Sequence, residues 1–148
     1  MKNWLHRLFP PKINRARVLH AISQAESKTS GEIRVVLVHH KVDDPIAEAV
    51  KEFQKLGMEK TVHRNGVLIL LAPKSRRFAV IGDKNVNELC GLVFWQEIVK
   101  SMKEAFRTRE FTRGLEEGIS RIGALLAQHF PPEKKNDNEL PNDIVDRL

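Results

Sequence analysis

Asn65–Asp83, NGVLILLAPKSRRFAVIGD, is the stretch whose reading decides the fold. It holds two uninterrupted apolar runs, Val67–Ala72 and Phe78–Ile81, separated by Pro73-Lys74-Ser75-Arg76-Arg77. Apolar residues in continuous rather than alternating order describe strands covered on both faces. A connection of five residues is too short for a parallel crossover, which needs about a dozen, so the two strands are expected to pair antiparallel.

Upstream, Asp44-Pro45 opens a helix, with Asp as N-cap and Pro at the first helical position. Ile46, Ala49, Val50, Phe53 and Leu56 form its expected buried face, and Gly57 ends it. The segment before it, Glu32–His40, reads as a further buried strand. The helix is then a crossover, and the Glu32 and Val67 strands should run parallel. Asn14–Lys28 is the first helix, capped by Asn14, with Val18, Leu19, Ile22 and Ala25 as its apolar stripe and Gly31 as its C′ residue.

Downstream, Lys84–Cys90 reads as a helical turn. Gly91–Phe106 is a helix with Leu92, Trp95, Ile98, Val99, Met102 and Phe106 inward, and Phe111–Phe130 is the last helix. Gly114, Gly118 and Gly123 each cost about 1 kcal/mol inside that helix relative to Ala, which predicts close approach of a neighbouring element. The order αβαββαα predicts an α/β fold, a three-layer α/β/α sandwich with a short mixed sheet. Residues 14–131 form the one expected domain. Residues 1–13 read as a basic amphipathic segment, and 132–148 as a polar tail too poor in apolar residues to pack.

Composition narrows the function classes. Hydrophobic content of 41% and charged content of 30% are ordinary for a globular chain. The single cysteine, Cys90, excludes an intramolecular disulfide. No apolar run reaches the ~18 residues of a membrane span, and no signal-peptide core is evident, so a cytoplasmic location is expected. The net charge of +6 is uneven: residues 1–17 carry Lys2, Arg7, Lys12, Arg15 and Arg17 without an acid. With Trp4, Leu5, Leu8 and Phe9 at helical spacing, that segment suits an anionic membrane surface, or docking on its own domain. No nucleic-acid-binding motif accompanies the basic charge.

The expected topology gathers Glu32, Asn65 and Asp83 at one end of the sheet, although they are far apart in sequence. Two carboxylates and an amide oxygen are hard ligands suited to Ca²⁺ or Mg²⁺, with Asn85, Asn87 and Glu88 close by. The alternative is that Glu32 and Asp83 pair with Arg64 or Arg77, or cap the Lys84 helix. At the opposite end, His39, His40, Asp43 and Asp44 could bind a metal. Adjacent strand residues point to opposite faces, however, which sets the two imidazoles apart. Cys90 reads as a packed thiol, and the Lys74–Arg77 turn as solvated. No nucleophile elbow, phosphate-binding loop or organic-cofactor motif is present.

The series SGEIRV at Ser30–Val35, RNGVLI at Arg64–Ile69, FAVIGD at Phe78–Asp83, Phe94-Trp95, Gly114-Leu115, Gly118-Ile119, Ile122-Gly123 and His129-Phe130-Pro131 resembles the TPM domain family. It is most similar to compact bacterial members without signal peptide or membrane anchor. The resemblance implies an α/β/α sandwich and a divalent-ion site at the matching Glu32, Asn65 and Asp83. Relatives are linked to photosystem repair, to acid-phosphatase activity or to modulation of a membrane receptor. It therefore implies either a binding or accessory module with a protein or membrane partner, or a metal-assisted phosphatase. Leu92 and Val93 stand where many relatives carry acids, and Asn85 and Val86 where glycine and isoleucine are frequent.

Overall fold

The computed structural model describes residues 12–133 and 143–148. The proposed N-terminal anchor, as far as residue 11, lies outside them, as do residues 134–142 and the side chains of Leu92 and Phe94. The elements in chain order are α1 (Arg15–Glu26), β1 (Glu32–Val38), α2 (Pro45–Lys55), β2 (Gly66–Ala72), β3 (Arg77–Gly82), α3 (Lys84–Leu89), α4 (Leu92–Arg107), α5 (Phe111–His129) and β4 (Ile144–Arg147). Short 3₁₀ turns at Met58–Lys60 and Pro73–Ser75 precede β2 and β3. Asn14 and Asp44 cap their helices as expected, accepting hydrogen bonds from the Arg17 and Ala47 amides.

The sheet order is β3-β2-β1-β4. β1 and β2 run parallel, with Glu32 opposite Gly66, and β2 and β3 run antiparallel, with Val67 opposite Gly82. Every residue of β1 and β2 is buried because helices cover both faces. Ile33, Val35 and Leu37 join Val18 and Ile22 of α1, Ile98 and Met102 of α4, and Leu115, Ile119 and Ile122 of α5 in the larger core. Val36 and Val38 face the other way, toward Ala49 and Phe53 of α2 and Met58. The architecture is the expected α/β/α sandwich.

Four details depart from expectation. The segment 132–148 was expected to be unpacked, yet Ile144–Arg147 forms β4, parallel to β1, with Ile144 opposite Val35 and Arg147 opposite Val38. So short a strand holds because Ile144 enters the larger core while its charged neighbours are matched. Asp146 accepts from both terminal nitrogens of Arg15 at 2.7 and 2.8 Å, and Arg147 Nε donates to Glu52 at 2.9 Å. β3 is an edge strand in which only Ala79 is buried, rather than a strand covered throughout. α2 rests on the sheet through Ala49 and Phe53, leaving Ile46 62% and Val50 44% exposed. Finally, α1 ends at Glu26 and Gly31 does not adopt the left-handed conformation. A side chain at Gly31 would meet Leu126 Cδ1 at 2.9 Å and the Asn65 carbonyl at 3.3 Å, so close packing fixes that glycine.

The α5 glycines behave as their cost suggested. A Cβ at Gly118 would lie 2.5 Å from Met102 Sδ, and one at Gly123 would lie 2.6 Å from Ala25 Cβ and 3.1 Å from Ala25 Cα. Met102 can move, whereas the backbone of α1 cannot. Gly123→Ala is therefore expected to destabilise the protein by about 1–3 kcal/mol despite alanine's better helix propensity. Gly91→Ala, with nothing within 4 Å, should cost only about 0.5 kcal/mol, the N-cap preference for glycine over alanine. Urea unfolding midpoints of the two variants check this contrast.

Candidate functional site

The register brings the amino ends of β1 and β2 to the carboxyl end of β3, so Glu32, Asn65 and Asp83 do share one end of the sheet. All three are buried. The Asp83 amide donates to the Gly66 carbonyl at 2.9 Å and extends the β2–β3 ladder by one step. Its carboxylate is fully engaged. Arg64 donates from Nε to Oδ2 at 2.8 Å and from its terminal nitrogen to Oδ1 at 2.9 Å, and the Lys84 amide donates to Oδ1 at 2.7 Å. Asp83 thus caps α3 and receives a two-point guanidinium clamp. The pairing with Arg64 raises that guanidinium's pKa further.

Asn65 is completely buried. Its side-chain nitrogen donates to Ser30 Oγ at 3.2 Å, and its amide donates to Thr61 Oγ1 at 3.3 Å. Among the described residues its side-chain oxygen Oδ1 has no hydrogen-bond partner. A buried acceptor left unmatched costs about 1–3 kcal/mol and is rare enough to need a reason. The loop around it is held by the left-handed Arg64, whose carbonyl accepts from the Asn85 amide, and by Asn85 Nδ2 donating to the His63 carbonyl.

Sequence reasoning missed Glu26, the last residue of α1. Its Oε2 accepts from the Ile33 amide at 2.7 Å, and its carboxyl lies against that of Glu32. Burial pushes the Glu26 pKa up to about 8. The Glu32 charge adds to the rise, while the Ile33 amide and Arg34 oppose it. Two carboxylates this close and this buried do not both ionise readily, and a shared proton joins them. Glu26 follows Val18 and Ile22 at four-residue steps, so helical periodicity places it on the buried face; its charged type is what hid it.

At the opposite end β1 stops at Val38, so His39 and His40 follow the strand rather than ending it as expected. His39 Nε2 bonds to Asp146 Oδ1 at 2.7 Å, and His40 Nδ1 bonds to the Leu148 carbonyl at 3.2 Å. Arg15 and His39 hold the Asp146 pKa down at about 2. Asp44 is occupied as the N-cap of α2. These groups fasten β4. Arg15 and Arg17, two of the five bases in the N-terminal stretch, are paired internally with Asp146 and Glu116. Cys90 is buried, and burial raises its thiol pKa. Among the described residues no group of three or more His, Cys, Asp or Glu side chains stands ready to hold a metal ion, and no helix is long and apolar enough to cross a membrane.

This sandwich, with its FAVIGD strand end and SGEIRV entry, defines a class. The TPM domain profile matches residues 8–125, and the chain belongs to the TPM domain family. Its structure is similar to that of the BA42 protein from the psychrophilic bacterium Bizionia argentinensis, at 36% identity and a TM-score of 0.82 over 89% of this chain and 91% of that one. It also resembles the N-terminal domain of a protein from P. gingivalis, at 18% identity and a TM-score of 0.62 over 79% of this chain and 76% of that one. A third likeness is to the N-terminal domain of a Corynebacterium glutamicum protein, at 13% identity and a TM-score of 0.61, covering 85% and 80% of the two chains. These last two show the fold alone. No curated protein sequence matches significantly.

The Glu26–Glu32 pair has a consequence for stability. Unfolded Glu26 titrates near 4.5 and folded Glu26 near about 8. Its stabilising contribution is fully present below 4.5 and is lost as pH rises through about 8, because the unfolded chain releases the proton first. The slope is at most about 1.4 kcal/mol per pH unit in that window. Glu26→Gln should flatten the decline, as measured by urea unfolding across the window.

Proposed function

We propose that the protein is a noncatalytic binding module of the TPM family whose Glu32–Asn65 end takes a divalent cation, Ca²⁺ or Mg²⁺, weakly, and presents the adjoining surface to a protein partner. The observation that carries this reading is the buried, unmatched Oδ1 of Asn65 beside a carboxyl pair that already retains a proton. Burial is the main reason Glu26 keeps its proton, and the smaller repulsion between the two carboxyls is what a cation would relieve; the donors there are all oxygen, the set that hard cations prefer. Glu32 and Asn65 would be the primary ligands, with Glu26 beside them. Asp83 joins only when Arg64 releases it, since a cation and the guanidinium compete for the same oxygens.

Both the proton and Arg64 must be displaced, which supports weak rather than tight binding. The same contacts favour binding over hydrolysis. The carboxylate that a metal-assisted phosphatase would use to hold its ion is already committed to Arg64 and to the start of α3.

The test is a backbone NMR titration with CaCl₂ and, separately, MgCl₂. Shifts at Glu32, Asn65 and Asp83 are expected with Kd of about 10⁻⁴–10⁻³ M, tightening as pH rises toward the Glu26 value. Asn65→Ala should abolish them, and Arg64→Ala should tighten binding several-fold by freeing Asp83. No shift at several millimolar of either ion would sink the cation site. Metal-dependent hydrolysis of a phosphate monoester that disappears in Asp83→Asn would replace the noncatalytic reading with a phosphatase.

A further inference from the structure

The outer edge of β3 combines three features that the cation site does not use. The first is its backbone. Asp83 and Gly66 face each other as a hydrogen-bonded pair, and the antiparallel ladder alternates from there. Arg77, Ala79 and Ile81 therefore turn their amides and carbonyls toward β2, while Phe78, Val80 and Gly82 turn theirs away from the sheet. The Gly82 carbonyl accepts from Asn87 Nδ2 at 2.9 Å. Among the described residues no other strand or loop backbone meets the remaining outward groups. Natural edges are commonly blunted by a central charge, a proline or a bulge. From Phe78 to Gly82 this one has none of them.

The second feature is the overhang of α2. Glu52 reaches toward Arg147 on the β4 side of the sheet, at 2.8 Å. Ile46 and Val50 lie on the opposite flank of the helix, given its 3.6-residue period, and so face the β3 edge. Val50, Phe53, Ile81 and Gly82 line one groove there, of about 670 Å³, whose polar end is formed by Glu59, Arg64, Asp83 and Lys84. A strand added beyond β3 would sit ~4.8 Å out, with alternate side chains beneath the exposed Ile46 and Val50.

The third feature is charge. Lys74 and Arg77 at the start of β3, and Lys84 just past its end, are exposed. Arg77 donates to the carbonyls of Val42 and Asp43, which leaves its charge in place. The acids nearby are Asp83, neutralised by Arg64, Glu59 in the groove wall, exposed Asp43 beside Arg77 and exposed Glu88 on α3, so the basic groups stand out only at the two ends of the edge.

From these features we propose that the outer edge of β3 is a docking site for an extended peptide segment of a partner, apolar and β-branched at its centre and acidic at its ends, which adds as a fifth strand. Main-chain bonds to Phe78, Val80 and Gly82 supply the register. The α2 flank supplies the apolar contact, and the basic ends select acidic sequence and steer its approach. The groove borders the cation site at Arg64 and Asp83, whereas the main-chain groups that carry this inference lie at Phe78, Val80 and Gly82.

The experiment uses the full chain and two synthetic peptides of alternating valine and threonine, one flanked by glutamates and one by lysines. Amide shifts at Phe78, Val80 and Gly82 are expected with the glutamate peptide. The lysine peptide should bind about tenfold more weakly or worse, and the difference should shrink at high salt. Val80→Pro removes an outward amide without costing a bond to β2 and should abolish binding. Val50→Lys, at an exposed position that leaves the ladder intact, should weaken it and serves if the proline variant fails to fold. Equal binding of both peptides, no binding of either, or shifts confined to other elements would overturn the proposal. So would a concentration-dependent dimer that Val80→Pro dissolves, since the edge would then belong to a second copy.

Discussion

Parallel pairing of β1 with β2 is the constraint on which the rest of the molecule depends. It requires a crossover, which α2 provides, and it requires cover on both faces, which two separate cores provide. Its register sets Glu32 against Gly66. That glycine admits Met58 Cε to within 3.2 Å of where a Cβ would stand, so the loop before β2 can fold down over the strand end. The same register carries Asn65 inside and leaves its oxygen unmatched. The polar end of the sheet is therefore a product of the way the apolar ladder is stacked.

That polar end sets stability against function. A fold seeking only stability would place apolar groups where Glu26, Glu32 and Asn65 lie, because burying acids that must share a proton weakens the protein as the solution becomes alkaline. Asp83 shows the opposite arrangement: its charge is matched by Arg64, and it caps a helix besides. One end of the sheet thus contains an acid matched by a guanidinium and, beside it, two acids buried against each other. Under the proposed cation binding, Arg64 would compete with the ion for Asp83.

Much of this was legible in the sequence because the two central strands are apolar without interruption and the Asp44-Pro45 and Asn14 caps mark their helices. Topology followed from connection lengths, and topology alone gathered Glu32, Asn65 and Asp83. The partners of those residues were not legible to the same degree. Arg64 was foreseen as an alternative to metal; Glu26 was missed because a charged residue on the Val18–Ile22 face was not read as buried, although its spacing puts it there. β4 was missed because IVDR has too little apolar content to announce a strand, and its hold depends on Arg15 and Glu52, which are remote in sequence. The exposure of Ile46 and Val50 was missed for a related reason: an apolar stripe predicts a buried face only when the sheet beneath is wide enough to cover it, and here the sheet stops at β3.

The pairing of Val35 with Ile144 spans most of the chain, with no local contact to nucleate it. Closing so long a loop for four residues of ladder is entropically expensive, so this step belongs late in folding and opens first among the strands. Until it closes, the outer edge of β1 is bare, and β1 is the strand from which both cores are built. Without β4 the sheet has three strands and two open edges, the arrangement most exposed to unwanted strand pairing. Because Arg15 and His39 grip Asp146, the closing step is sensitive to ionic strength in a way that collapse of the apolar core is not.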